Sequence, residues 1–284
     1  MGVSISIVTP SYNQGRFLEQ TIRSVLAQRD QAHEYFVLDG GSNDGSHEII
    51  ERYTDRLDWW VSEPDKGQCH AINRGFARAT GDVLYWVNSD DLLLPGTLAA
   101  VRDAFDRDPG LGVVTGYTVV VDAENQIIDL RRRMPDSPRM ARLGYLRSKQ
   151  PSVFFRRSLF EAVGGLDESL ECVLDTDLWL KMMRAGARWG GLPRYLSAER
   201  RHGEMKGVVL TERYGRERAL LRERYPEFAA GPLKRQLGRV LYYADQITTG
   251  RSLAWRRDQR RMLGRDLAGV FSERCCSGGA GKEP

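Results

Sequence analysis

The chain predicts an α/β fold whose central sheet starts parallel and turns mixed, and three observations carry that reading. Between residues 4 and 80, a β-branched or aromatic run, a polar loop and an amphipathic helical pattern follow one another repeatedly, the signature of βαβ units. The stretch Val83 to Pro95, VLYWVNSDDLLLP, is an apolar run that stops at Asn88-Ser89-Asp90-Asp91 and resumes at Leu92. A run bounded in this way suits a buried strand of a parallel sheet, with its polar residues delivered at the carboxyl edge where such sheets bind ligands. Finally, two β-rich runs, Gly112 to Val121 and Gln126 to Leu130, flank Asp122-Ala123-Glu124-Asn125 and read as a hairpin, which brings antiparallel pairing into the sheet.

The elements follow in order. Ser4 to Thr9 is a strand, Pro10 to Gly15 a loop, and Leu18, Ile22, Val25 and Leu26 mark one helix face. Glu34 to Leu38 is the second strand, running into Asp39-Gly40-Gly41-Ser42-Asn43-Asp44-Gly45-Ser46, and Ile49, Ile50 and Tyr53 mark a helix that Asp44 or Ser46 can cap. The glycines of this loop permit positive φ and close backbone approach. Trp59 to Ser62 is the third strand; the next helix carries Ala71-Ile72, Gly75-Phe76 and Ala79. After the central strand, Pro95 suits the first turn of a helix burying Leu98, Val101 and Phe105. Arg131 to Lys149 is basic and weakly patterned, so a mobile loop or surface segment is expected there. Ser152 to Phe155 reads as a strand and Leu159 to Val163 as a short helix closed by Gly164-Gly165. In Cys172-Val173-Leu174-Asp175-Thr176-Asp177, Asp175 has the look of an N-cap and Asp177 lies in the first helical turn. Past Arg188, a strand-like segment ends at Arg200-Arg201-His202-Gly203. Glu212 to Arg224 and Leu233 to Gln246 read as basic helices, the second with an amphipathic stripe at Leu233, Leu237, Val240, Leu241 and Ala244. Ser277 to Pro284 is expected to be disordered.

Composition bounds the class. The chain has 284 residues, 41% hydrophobic and 28% charged, which is globular and long enough for a sizeable core. No apolar run approaches the roughly 18 residues of a membrane span, and Met1-Gly2-Val3 leads straight into a strand, so no secretory signal is expected. Four cysteines, two adjacent at Cys275-Cys276, form neither a disulfide framework nor a zinc pattern, and a cytoplasmic setting is expected. The net charge of +4 is uneven: Arg194 to Arg265 holds 18 basic and 8 acidic residues, so +10, leaving −6 elsewhere. A basic C-terminal third suggests an anionic partner, although a solvated helical face explains the charge equally well. No nucleic-acid motif accompanies it, nor is there a G-x-G-x-x-G or G-x-x-x-x-G-K-[ST] loop. Two adjacent carboxylates at a strand end repel unless a cation serves them, so Asn88 to Asp91 is either a divalent-cation site facing phosphate oxygens or a polar turn. Asp39, also ending a strand, is either a group accepting from a base or ribose or part of a chain-reversing turn.

Taken together, IVTPSYNQGRFLEQTIRSVLAQ, VLDGGSNDGS, EPDKGQCHAINRGFARATGD, NSDD, FFRRSLFEAVGGLDE and LDTDLWLKM resemble the inverting glycosyltransferase family 2, in that family's order, over roughly residues 4 to 205. The resemblance implies a GT-A fold, a Rossmann-like mixed central sheet flanked by helices. It divides the chain into a glycosyltransferase domain at 1–205, with a nucleotide-binding half at 1–110 and an acceptor-binding half at 111–205, and a basic helical C-terminal extension with a disordered tail at 206–284. It implies that Thr9, Pro10 and Tyr12 line the nucleotide site, that Asp39 meets the nucleobase with Gly41 and Ser42 near the ribose, and that Lys66, Gly67, Gln68 and Asn73 approach the diphosphate or donor sugar. Asn88-Ser89-Asp90 matches the D-x-D element, with Asp90 and the adjacent Asp91 as ligands of Mg²⁺ or Mn²⁺. Asp175 matches the catalytic base, Asp177 the acid after it, and His202 a histidine near the diphosphate.

The implied activity is metal-dependent inverting transfer of a sugar from a nucleotide-diphospho-sugar to a hydroxyl of a glycan or lipid-linked acceptor, in cell-surface polysaccharide or glycan synthesis. The basic helices would dock on an anionic membrane surface, at the inner face of the plasma membrane; nucleic acid is not an expected partner. Two departures stand out: Asn88 replaces the first Asp of D-x-D, and Leu174 replaces the Glu that usually precedes the base. A sugar-nucleotide nucleotidyltransferase is the first alternative, although Pro10 to Gly15 lacks the Gly-rich basic loop it would need. A non-catalytic nucleotide-sugar or glycan-binding module is the second.

Overall fold

The structure, a computed structural model, describes residues 2–132, 136–146, 148, 150–203 and 210–271. The stretch expected to be a disordered tail lies outside the described residues, as do parts of the basic segment 131–149.

One nine-stranded sheet organises the chain. Strands β1 (Ile5–Ser11), β2 (Glu34–Asp39), β3 (Trp59–Ser62) and β4 (Val83–Trp86) pair in parallel in the order β3-β2-β1-β4. Beyond β4 the sheet turns mixed. Strand β8 (Val153–Arg156) runs antiparallel to both β4 and β6 (Val113–Val121), and β9 (Trp189–Arg200) pairs parallel to β6. The short β5 (Leu92–Leu93) closes the edge against β9, and β7 (Ile127–Arg131) forms the expected hairpin with β6. The β5 pairing was not anticipated; two residues carry no readable period. It explains why Pro95 falls before helix α4 (Thr97–Arg107), with Gly96 at the N-cap, rather than inside its first turn.

Alternation along the strands builds two cores. Ile5 and Ile7 of β1 face one side, with α1 (Gly15–Leu26) supplying Leu18, Ile22 and Val25, α2 (Ser46–Glu51) Ile50, and α4 Leu98, Val101 and Phe105. Val8 faces the other side, with α3 (Gln68–Arg78) supplying Ala71, Ile72 and Phe76, α6 (Arg157–Ala162) Phe160, and α7 (Leu174–Arg184) Leu178, Trp179 and Met182. Each such side chain taken from water contributes on the order of 1.5–3 kcal/mol. Asp44, expected as a helix cap, serves two helices at once. One carboxylate oxygen accepts from the Ser46 N–H at the start of α2, and the other accepts from the Gly15 N–H at the start of α1.

The basic segment after β7 is more built than its composition suggests. Arg131 is buried and paired with Glu199. Ser137 caps the short α5 (Pro138–Arg142) by accepting from the Met140 N–H, and Met140, Ala141 and Tyr145 are buried. The C-terminal helices share cores with the rest of the chain rather than forming their own among the described residues. Leu221 of α8 (Thr211–Arg224), Tyr225 and Phe228 pack on Leu170, Val173, Leu180 and Met183. Met262 of α10 (Arg251–Met262) and Leu267 of α11 (Leu267–Val270) pack on Val119, Val121, Ile127 and Leu130 of the hairpin. The Trp255 indole N–H donates to the Leu130 carbonyl at 2.6 Å. Helix α9 (Pro232–Thr248) is the exception: Leu233, Leu237, Val240, Tyr243 and Ile247 face solvent, while Gly238 and Gln246 are buried. Of the stripe read from sequence, Leu233, Leu237, Val240 and Ala244 are exposed and Leu241 is half-buried.

Arg200, the last residue of β9, is fully buried and ties four segments together. Its guanidinium donates to the Asp90 carbonyl (Nε, 2.9 Å), Asn125 Oδ1 (2.7 Å) and Gln20 Oε1 (2.9 Å), its backbone N–H donates to Asp91 Oδ1 (3.0 Å), and it lies 4.7 Å over the Phe17 ring. These bonds join α1, the loop after β4, the β6–β7 turn and β9.

Two substitutions test this framework. Arg200→Met keeps much of the volume but leaves buried acceptors unpaired, and is expected to cost about 3 kcal/mol or more; an unchanged urea midpoint would refute the linking role. Gly75→Ala places a Cβ 2.7 Å from Val8 Cγ2 and 3.1 Å from Leu38 Cδ1, forcing α3 off the sheet. A loss of about 1–3 kcal/mol is expected in the same assay, whereas wild-type stability would show that α3 has room to move.

Candidate active site

Successive strands step from β1 to β2 to β3 on one side, while β4 pairs on the other side of β1, so the strand order reverses at β1. A crevice opens at the carboxyl ends of strands at such a reversal. Here it is a cleft of about 640 Å³. Its walls include Pro10 and Ser11 at the end of β1 with Tyr12 and Gln14 beyond it, Gly40 after β2, Pro64, Asp65 and Gly67 before α3 with Gln68 at its start, Asn88, Ser89 and Asp90 after β4, Gln150, and Glu171, Cys172, Leu174 and Asp175 around the start of α7.

On the β1–β2 side the Tyr12 ring is 63% exposed at the rim. The Asp39 carboxylate is buried and shapes the loop that follows it. Ser42 donates to it through both its backbone N–H (2.9 Å) and its hydroxyl, and the Ser62 hydroxyl donates at 2.7 Å. Gly41 adopts φ +79° against Pro64, whose nitrogen would lie 3.0 Å from a Cβ at this position. Lys66 is exposed beside Gly67, which adopts φ +107° at the N-cap of α3. Of the residues expected to face a donor, Pro10, Tyr12, Gly67, Gln68, Asn88 and Ser89 line the cleft, whereas Thr9, Asp39, Gly41, Ser42, Lys66, Asn73 and His202 do not. Thr9 is buried within the sheet, its hydroxyl 3.0 Å from that of Tyr35. The Asn73 amide is committed to the loop ahead of α7, donating to the Leu166 carbonyl (2.9 Å) and accepting from the Leu166 N–H (3.0 Å).

After β4 the four polar residues diverge. Asn88 Oδ1 accepts from Gln68 Nε2 (2.8 Å), while Asn88 Nδ2 donates to Asp91 Oδ2 (3.2 Å) and Gln150 Oε1 (3.3 Å). An aspartate here would lose the donor and set a second charge against Asp91, so the amide has a structural reason. Ser89 is buried, and its carbonyl accepts from the Thr21 hydroxyl. Asp90 faces the cleft, its Oδ2 3.0 Å from Nε2 of His202, whose ring packs 4.8 Å from that of Phe17. Asp91 turns into the core, held by the Arg200 N–H and Asn88. Burial, with the charges of Asp90 and Glu199, pushes its pKa well above the usual carboxylate range. The expectation that Asp91 shares a cation with Asp90 fails on this geometry. Asp90 offers a carboxylate on the wall, with His202 bonded to it from outside the lining; the carboxylate suits Mg²⁺ or Mn²⁺. No cluster of three or more acidic, His or Cys side chains able to hold a metal occurs among the described residues, so oxygens of a ligand or of water would complete the coordination.

The two acids at the start of α7 separate completely. Asp175 is partly exposed on the cleft wall, and its Oδ1 accepts from the Thr176 N–H at 2.6 Å. Asp177 is fully buried behind the wall. It accepts from Arg224 (2.9 Å) and the Tyr225 hydroxyl (2.8 Å) and pairs with Lys181 (3.0 Å). A catalytic role for Asp177 is thus replaced by a structural one. Nor is Asp175 the N-cap: that position is Val173, and the capping carboxylate is Glu217, brought from α8. Sequence reasoning missed Glu217, Arg200 and Gln150. Each is a polar residue in a polar run, and only tertiary contact distinguishes it.

The glycosyl transferase family 2 model matches residues 6–163, more than half of the chain. An uncharacterised glycosyltransferase of Nostoc sp. is 32% identical over 131 residues, 45% of this chain and 40% of that protein. One from Mycobacterium tuberculosis is 29% identical over 180 residues, 63% of this chain and 68% of the relative. Among solved structures, S. aureus TarS 1-349 in complex with UDP-GlcNAc superposes with a TM-score of 0.58 at 18% identity, covering 70% of this chain and 59% of that one. The mannosyltransferase PcManGT from Pyrobaculum calidifontis, in complex with GDP-Man and Mn²⁺, superposes with a TM-score of 0.56 at 20% identity, covering 89% and 81%. The sheet is thus of the GT-A kind, and the chain belongs to glycosyl transferase family 2.

Proposed function

We propose that this protein transfers a sugar, with inversion, from a nucleotide-diphospho-sugar to a hydroxyl of a glycan or lipid-linked acceptor, with Mg²⁺ or Mn²⁺ as cofactor, in polysaccharide or glycan synthesis. One observation carries the reading: Asp90 and Asp175, from opposite halves of the chain, line one cleft at the sheet edge, while their neighbours Asp91 and Asp177 are buried elsewhere. The TarS complex with UDP-GlcNAc and the PcManGT complex with GDP-Man and Mn²⁺ support the donor class and the cation.

In this reading the loops after β1 and β2 take the nucleoside, with the loop held by Asp39 presenting Gly40 to it. Lys66, Gly67 and Gln68 serve the diphosphate. Asp90, with His202 beside it, would hold the cation, which when bound offsets charge on the leaving diphosphate. Asp175 accepts the proton of the acceptor hydroxyl as the hydroxyl oxygen bonds to the anomeric carbon, while the bond from that carbon to the diphosphate oxygen breaks on the opposite face and the nucleoside diphosphate leaves. A single displacement inverts the anomeric configuration, by analogy with the paired-carboxylate logic of inverting glycosidases. The two departures from the family pattern do not speak against catalysis, because Asn88 orders Asp91 and Gln150, and Leu174 packs into the apolar core.

No helix among the described residues is long and apolar enough to cross a membrane. Helix α9 nevertheless presents Leu233, Leu237, Val240, Tyr243 and Ile247 outward beside Lys234 and Arg239, and α10 exposes Arg256, Arg257, Arg260 and Arg261. An apolar stripe framed by cations is the chemistry of a helix lying in an anionic lipid interface, and it supports peripheral docking where a lipid-linked acceptor would be met.

Paired variants test the chemistry. Asp175→Asn is expected to lower nucleoside-diphosphate release about 1,000-fold or more with donor affinity retained, and Asp90→Ala to remove the part of donor affinity that a chelator removes from the wild type. Full turnover in the first variant, or chelator-insensitive donor binding by the wild type, would reject the corresponding role. For docking, co-sedimentation with vesicles containing phosphatidylglycerol should fall about tenfold in Leu237→Asp/Val240→Asp; binding that ignores the variant and the lipid charge would exclude this face.

A further inference from the structure

The loop that carries Asp175 into the cleft is held from a helix that the sequence reading assigns only to an anionic surface. Glu217 of α8 is 7% exposed. It accepts the N–H groups of Glu171 (3.0 Å to Oε1), Cys172 (2.8 Å to Oε2) and Val173 (3.2 Å to Oε2). Val173, at the N-cap of α7, provides no side-chain acceptor of its own. Arg213, one turn earlier on α8, donates to Glu217 Oε1 at 2.9 Å and pairs with Glu171. Burial alone would raise the Glu217 pKa, but the N–H of Cys172, the guanidinium of Arg213 and the N–H groups of Glu171 and Val173 outweigh it, so the group stays ionised.

The far end of α8 holds the same turn a second time. Arg224 bonds Asp167 (2.7 Å) and Asp177 (2.9 Å), and the Tyr225 hydroxyl bonds Asp177. Asp175 therefore lies between two fixed points, residues 171–173 before it and Asp177 after it, both anchored to one helix. Its own carboxylate bonds to Thr176 and faces the cleft.

We infer that Glu217 is a positioning residue for transfer: its carboxylate sets the backbone of residues 171–173 and thereby the place of Asp175 relative to a bound donor. The inference rests on the assignment of Asp175 as the base. A misplacement of about 1 Å at a reacting group can cost on the order of 100-fold in rate, so a residue acting this way governs kcat rather than donor capture.

Glu217→Gln keeps the shape but turns one acceptor oxygen into an amide donor facing N–H groups. The expected result is a loss of about 10- to 100-fold in kcat, with donor KM and nucleoside-diphosphate affinity within about twofold of wild type. Leu221→Ala is the control. It loosens the packing of the same helix without touching the carboxylate bonds, and should retain kcat within about twofold when assayed well below its melting temperature. A Glu217→Gln enzyme with wild-type kcat, or an equal loss in Leu221→Ala, would overturn the inference. If Glu217→Gln does not fold, Arg213→Met removes the arginine that orients the carboxylate. A loss of about 3- to 10-fold in kcat is then expected, and none would overturn it. Asp175→Asn separates the two levels: if that variant turns over, the base assignment fails, and if it is inactive while Glu217→Gln is fully active, only the positioning role fails.

Discussion

A buried strand that ends in adjacent carboxylates presents an electrostatic problem, and the structure depends on how Arg200 resolves it. The side chain offers its donors to a carbonyl after β4, an amide in the β6–β7 turn and an amide on α1, while its backbone N–H takes one oxygen of Asp91. Placing a cation here lets Asp91 go inward and leaves Asp90 to face the cleft. The same contacts fix the end of β9, from which His202 reaches Asp90. Sheet closure and site geometry are thus one network, and a lysine, with a single point charge, could not bridge the same set of acceptors.

The N-terminal half of this design is legible in sequence because its information is local. Strand, loop and helix recur within short spans, and a run such as VLYWV followed by NSDD reports burial and then a polar edge without reference to anything distant. The C-terminal half is not legible in the same way. The two-residue β5 has no period. Arg131 and Glu199 look like surface charges until they pair, and the residues that α8 buries, Glu217 and Leu221, sit in a run crowded with charged side chains. Helix α9 differs, since its apolar stripe is readable but periodicity does not say whether protein or solvent lies against it.

Within the site, residue type was readable and orientation was not. Asp90, Asp91, Asp175 and Asp177 are chemically alike and nearly adjacent in pairs, yet one of each pair meets the cleft and the other is walled in by Arg200 and Asn88 or by Arg224, Tyr225 and Lys181. The deciding partners come from segments far along the chain. Similarly, the substitution of an amide at position 88 reads as weakened chemistry when only its charge is considered. Its three hydrogen bonds show a side chain chosen for having both a donor and an acceptor.

The placement of α8 also bears on synthesis. A polypeptide emerging amino end first completes β1 to β4 and their helices before residue 217 exists. The turn bearing Asp175 must wait for a later helix to supply its acceptors. The segment that fixes the Asp175 turn thus lies further along the chain than every residue lining the cleft.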